Sequence, residues 1–165
     1  MAKTRIKLPA TEFLEDYHRL QLSQVRFYWE GTPTPKPRMT RKDVWLDPPR
    51  PPVARWRHFK NSFYGLALSN RFQVYYMIAE IQLVAYIPFP RNWKADLRHK
   101  MAGQPHFQRT PDADNITKAC LDALVGEDHT NWKQNCEKRW QRLDQLPGIQ
   151  VLAYCYDRDN PYKQE

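Results

Sequence analysis

Apolar residues return along the chain in two rhythms. From Ala54 to about Phe72, the residues Trp56, Phe59, Phe63, Leu66 and Phe72 recur mostly every three or four positions, which predicts an amphipathic helix despite Gly65. Residues 115–125, NITKACLDALV, repeat that spacing over a shorter stretch that Gly126 ends. Residues 91–102, RNWKADLRHKMA, predict another helix, with Asn92 as its cap and Gly103 as its stop. Residues 11–20, TEFLEDYHRL, predict a short one capped by Thr11. Elsewhere the rhythm is that of strands. QVRFYWE at 24–30 is rich in β-branched and aromatic side chains, and the segment 73–87 runs into the buried strand IAEIQLVAYI, terminated by Pro88 and Pro90. Two more strands are predicted at 130–140 and 149–156, joined by a turn near Pro147-Gly148.

Strands and helices alternate, and two strands close the order. This predicts an α/β (α+β) fold: a single two-layer domain with a mixed sheet of about four strands and helices packed on it. The divisions are an N-terminal arm with its short helix at 1–23, the domain at 24–158 and a tail at 159–165. No internal repeat or linker splits the domain. Prolines punctuate it: Pro33, Pro35 and Pro37 on one side and Pro48, Pro49, Pro51 and Pro52 on the other bracket an extended segment that is not helix interior.

Composition narrows the function. A chain of 165 residues buries a core without disulfide staples, and 41% hydrophobic residues suffice for one. The three cysteines, Cys120, Cys136 and Cys155, form no Cys-x-x-Cys pair and are expected as buried thiols. No apolar run reaches the ~18 residues of a membrane span, so a cytoplasmic location and no membrane partner are expected. With 26 Lys+Arg against 18 Asp+Glu, the net charge of +8 points to a polyanionic partner.

The segment PDADNITKACLDALVGED, residues 111–128, gives that pointer chemical content. On an extended backbone Asp112 and Asp114 share one face, where they repel unless a cation lies between them. Paired oxygen ligands suit Mg²⁺ or Mn²⁺. With a helix starting near Asn115, Lys118 faces back toward Asp114, and Asp122 lies one turn further along the same face. Glu127 and Asp128 follow Gly126, where the chain can return a third carboxylate. The same residues also suit a helix cap followed by an ordinary ion-pair ladder. An acidic cluster within a basic chain favours the metal-dependent phosphodiesterase.

Pro111-Asp112-Ala113-Asp114-Asn115, with Lys118 and Asp122-Ala123-Leu124, resembles the core motif of the RusA family of Holliday-junction resolvases. Gly31-Thr32-Pro33-Thr34-Pro35-Lys36-Pro37-Arg38-Met39-Thr40 resembles the family's N-terminal signature, and Ile87-Pro88-Phe89-Pro90-Arg91-Asn92-Trp93 the motif preceding the acidic segment. Lys138-Arg139-Trp140 and Pro147-Gly148-Ile149 also fit, so the resemblance spans roughly residues 24–157. It implies a RusA-like domain and a homodimeric, Mg²⁺-dependent endodeoxyribonuclease. Such an enzyme resolves four-way DNA junctions by paired symmetric nicks in recombination and repair, in a bacterial or prophage setting. By motif, the catalytic set is Asp112, Asp114, Lys118 and Asp128, with Asp112, Asp114 and Asp128 as metal ligands and Glu127 as the alternative third. The carboxylates would hold one or two ions that acidify an attacking water, and Lys118 would stabilise the transition-state charge or assist the leaving oxygen. Lys36, Arg38 and Asn115 would contact DNA.

Other cations are less committed. Arg41 and Lys42 share the proline-braced loop with Lys36 and Arg38. Arg55, Arg57 and Lys60 are expected on the solvated face of their helix, while Arg91, Lys94, Arg98 and Lys100 suit a DNA track or a solvated face equally. Trp45 and Trp93 are expected to be packed, with base stacking as the alternative, and His129 is expected to be a bystander. The PD-(D/E)xK nuclease pattern fits poorly, because Lys118 lies four positions after Asp114, across a helix start, where that class needs an acidic-x-Lys tripeptide on a strand. A nuclease of the same fold acting on other branched DNA, or a non-catalytic nucleic-acid-binding protein, are the competing functions.

Overall fold

The computed structural model describes residues 21–32, 34, 36–126 and 131–159. The predicted helix at 11–20 lies outside them. In chain order the elements are β1 (Ser23–Glu30), a 3-10 turn (Arg41–Val44), α1 (Pro51–Ser69), β2 (Tyr76–Ile87), α2 (Ala95–Met101), α3 (Ala113–Leu124), β3 (Lys133–Trp140) and β4 (Gly148–Asp157). The α+β class and the four-stranded mixed sheet agree with the sequence pattern.

The sheet order is β1-β4-β2-β3. β4 runs antiparallel to both β1 and β2, and β3 runs parallel to β2. β3 and β4 are therefore not neighbours, although a turn at Pro147-Gly148 joins consecutive strands in the sequence reading. β2 and β3 are parallel, so the chain between them must cross over. α2, α3 and their loops form that crossover.

One sheet face carries Val25, Phe27 and Trp29 of β1, Ile81, Leu83 and Ala85 of β2, and Ile149, Val151 and Ala153 of β4, all buried. Each strand contributes alternate residues, as a sheet covered on that face requires. Trp56, Phe59, Phe63 and Ala67 of α1 join them in one core with Ile116, Ala119, Cys120 and Leu121 of α3. The Trp29 and Phe59 rings meet edge-on at 4.9 Å, and Phe27 and Phe63 at 5.1 Å. Residues of the opposite face, such as Arg26, Gln82 and Leu152, are exposed or half-buried. Cys120 and Cys155 are buried as expected and Cys136 is half-buried; all three are free thiols.

Several boundaries shift for local reasons. α1 begins at Pro51 and Pro52, where a missing N–H leaves nothing unsatisfied. It stops at Ser69, where Asn70 donates its side-chain amide to the Leu66 carbonyl at 2.8 Å, and Phe72 folds back into the core outside the helix. α2 starts at Ala95, with Lys94 in the cap position predicted for Asn92. Trp93 is drawn inward against Phe89 and Trp140, so the chain turns before it coils. Gly103 (φ 70°) and Gly126 (φ 67°) take left-handed conformations that stop α2 and α3 as predicted.

Candidate active site

α3 starts two residues earlier than its apolar spacing suggests. Asp112 is the N-cap, and its Oδ1 accepts a hydrogen bond from the Asp114 amide at 3.1 Å. This corrects the extended-backbone geometry expected for Asp112 and Asp114. A helix start leaves amides without partners, and a capping carboxylate satisfies one of them, so the segment coils where it was expected to stay extended. Both carboxylates are exposed beside the helix N-terminus, whose dipole favours negative charge there.

The approach to that turn is fastened to β3. Lys138 donates from Nζ to the carbonyls of Gln108 (2.7 Å) and Pro111 (2.9 Å), and the His106 amide donates to the Lys138 carbonyl at 2.9 Å. The His106 ring packs 4.3 Å from Trp140. Burial, with Lys138 nearby, lowers the His106 pKa. Lys138 thus sets the position of Asp112, a role its place in the motif did not reveal. Cys136 also lies close by. Burial above all pushes its thiol pKa up, and the Asp114 charge adds a smaller upward push.

The ladder Asp114–Lys118–Asp122 does not form. Asp122 instead accepts from Lys36 Nζ at 2.9 Å, across from the loop that follows β1. Lys36 also lies 5.9 Å from the centre of the Trp56 ring, so its long side chain is steered by the core beneath it. This leaves Lys118 exposed and without an ion pair among the described residues. Lys36, Pro37 and Arg38 then face Asn115 and Lys118 across an open cleft of about 320 Å³. The structure thereby brings together the three predicted DNA contacts and the predicted catalytic lysine.

Asp128, Glu127 and His129 lie outside the described residues. Among the described residues no cluster of three or more metal-ligating side chains occurs. Asp112 and Asp114 remain as two exposed carboxylates without a described cationic partner, a donor set that suits a hard divalent ion keeping most of its waters. The cleft lining includes none of Arg91, Lys94, Arg98 and Lys100. Arg98 turns its Nη2 to the Arg91 carbonyl at 3.1 Å. Arg55, Arg57 and Lys60 are exposed as expected, and Arg57 also donates to the Asp43 carbonyl at 2.8 Å.

Two features of the loop 38–50 escaped the sequence reading. Asp43 is buried and held by Arg50 through two hydrogen bonds of 2.6 Å, from Nε and Nη2. Thr40 adds its amide (2.6 Å) and hydroxyl (2.9 Å). Arg50, then Thr40, hold the Asp43 carboxyl well below the usual carboxylate range. The Thr-x-x-Asp spacing at 40–43 is a capping-box signal that could have shown this turn. Trp45, expected to be packed, is instead 84% exposed, because the turn points it away from the core; Trp93 is half-buried as expected.

Comparison with known proteins adds one match. Residues 29–151 match the family model described as Endodeoxyribonuclease RusA. No curated protein and no solved structure matches the chain significantly. The matched span contains every described residue of the cleft, together with β2, β3, the end of β1 and the start of β4. A chain with this sheet, this acidic helix start and this match belongs to the RusA family of endodeoxyribonucleases.

Proposed function

We propose that the protein is a Mg²⁺-dependent endonuclease, with Mn²⁺ as a substitute, that resolves four-way DNA junctions by paired symmetric nicks as a homodimer. One observation carries the reading. Asp112 and Asp114 stand at the start of α3, and the cations of the 36–38 loop face Asn115 and Lys118 on the first two turns of the same helix. Cations there bind the phosphates on either side of the scissile bond, and the carboxylates lie beside them.

Asp112 and Asp114 would hold the ion, with Asp128 or Glu127 completing the set. When bound, Mg²⁺ supplies Lewis acidity toward a phosphodiester and a more acidic water. The chain's own residues do the rest. Lys118, unclaimed by Asp114 or Asp122, stabilises charge that develops on the phosphate oxygens. Asn115 and Arg38 orient the strand from opposite walls of the cleft. Lys138 fixes the 108–111 loop, and therefore the direction in which Asp112 points. No helix among the described residues is long and apolar enough to cross a membrane.

The test incubates a labelled four-way junction and a linear duplex with the protein, with and without Mg²⁺, beside Asp114→Asn and Lys118→Ala. Paired nicks in the junction alone, dependent on Mg²⁺ and absent from both variants that still bind, are expected. Cleavage in chelator, or wild-type nicking by either variant, overturns the mechanism. Binding without cleavage by the wild type favours the non-catalytic reading.

A further inference from the structure

Of the six tryptophans, three are buried (Trp29, Trp56, Trp140) and two are half-buried (Trp93, Trp132). Trp45 alone stands out, 84% exposed, at the end of the 3-10 turn, beside Val44 at 67%. Exposing so large an apolar ring is unfavourable unless something covers it.

The turn that carries Trp45 is firmly built. The buried Asp43 carboxylate accepts from Arg50 twice and from Thr40 twice. The Trp45 and Leu46 amides both donate to the Lys42 carbonyl, at 3.0 and 3.1 Å. Arg57 holds the Asp43 carbonyl. The same Arg50 reaches the Arg38 carbonyl at 3.3 Å, so one guanidinium ties the Trp45 turn to the wall of the cleft. A ring held this way loses little freedom on meeting a partner.

Charge identifies the partner. Between residues 36 and 57 the chain has seven Lys and Arg against two Asp, and one of those, Asp43, is neutralised by Arg50. Arg41 and Lys42 within the turn, and Arg38 just before it, are all exposed. A second copy of this chain would meet such a patch with the same sign of charge, whereas a polyanion with flat apolar faces complements it. Duplex DNA hides its base faces within the stack, while a branch point can present one.

We infer that Trp45 stacks on a base unstacked at the DNA branch, next to the strand held in the cleft between Arg38 and Lys118. The inference rests on the junction reading above and adds to it the contact that distinguishes branched from linear DNA.

The test uses the full chain carrying Asp114→Asn, so that binding is read without cutting. A four-way junction and a matched duplex each carry 2-aminopurine, placed at the branch point in the junction. Adding Trp45→Ala is expected to weaken junction binding about ten- to a hundredfold and to abolish the quenching of 2-aminopurine. Duplex affinity should change less than about twofold, and Trp45→Phe should restore most of the loss. The slope of affinity against salt should stay constant, because stacking neutralises no phosphate. Unchanged junction affinity, or an equal loss on duplex, overturns the inference. So does a fall in the protein's sedimenting mass on Trp45→Ala, which would make the patch a contact between copies. If the Asp114→Asn parent binds no junction, the functional reading falls, and quenching of 2-aminopurine in a single strand still decides whether Trp45 stacks.

Discussion

Asp43 and Asp114 are the same residue in opposite circumstances. Asp43 is buried, and two Arg50 donors and two Thr40 donors satisfy its oxygens. Asp114 is exposed, and no described cation pairs with it. A carboxylate whose lone pairs are all engaged has nothing left for a ligand, and removing its partner leaves a stranded charge. A carboxylate left exposed and unpaired keeps its oxygens available to a ligand. The contrast separates an aspartate that shapes a loop from one available for chemistry.

The strongest way to break this contrast is at the open site. Asp114→Asn and Lys118→Ala should each lower junction cleavage by at least about a hundred- to a thousandfold. Gel-shift affinity should move less than about threefold and the melting temperature little, since neither side chain is buried. A large loss of stability would place Asp114 in the same class as Asp43.

Asp43→Ala should behave in the reverse way. It strands Arg50 and releases the turn, so the amides of Asp43, Trp45 and Leu46 should lose their protection from hydrogen exchange. Each junction still bound should be cut at close to the normal rate. The pH dependence follows from the lowered Asp43 pKa. A carboxyl held below its unfolded value stabilises the fold fully above the ordinary value of 3.8, and that stabilisation is lost as pH falls below it. Exchange in the turn should therefore rise on acidification only below about pH 4, and the Asp43→Ala protein should lack that rise.

Asp112 stands between the two classes, since it caps α3 through one oxygen and is otherwise exposed. Asp112→Ala should cost about 1 kcal/mol, or a few degrees of melting temperature, while Asp112→Asn keeps the cap and costs a few tenths of that. Cleavage should fall in both, because both lose the charge. The smallest effect belongs to Lys36, whose partly exposed pair with Asp122 contributes about 0–1 kcal/mol. Lys36→Gln should leave stability nearly unchanged and reduce the salt slope of junction binding by about one.

What the sequence discloses and what it conceals divide along physical lines. α1 and α3 were legible because buried faces recur every three or four residues, as in Trp56, Phe59 and Phe63. Their ends were legible where a glycine forces a stop, as at Gly126. The insertion of β4 between β1 and β2 was not, because pairing partners far apart in sequence leave no local periodicity. The acidic pair was legible as chemistry but not as geometry. A helix cap and an extended pair have the same letters at 112 and 114, and only the coil beginning at Ala113 separates them. The diversion of Asp122 to Lys36 and the fastening of Pro111 by Lys138 join residues 86 and 27 positions apart, beyond the reach of any spacing rule. Trp45 was misjudged because large aromatics are usually packed, and the buried aspartate that turns it outward carries a residue type seldom found inside.

The position of β4 has a consequence for how the nuclease is made. Within the sheet β1 and β2 are joined through β4, the last strand among the described residues. Until residue 157 has been synthesised, the sheet is two unjoined pieces, and α1 and α3 have only part of the surface they pack against. Asp112 and Asp114 precede that strand in the sequence. Among the described residues, the strand latest in the sequence is thus the one that unites the sheet on which α1 and α3 pack.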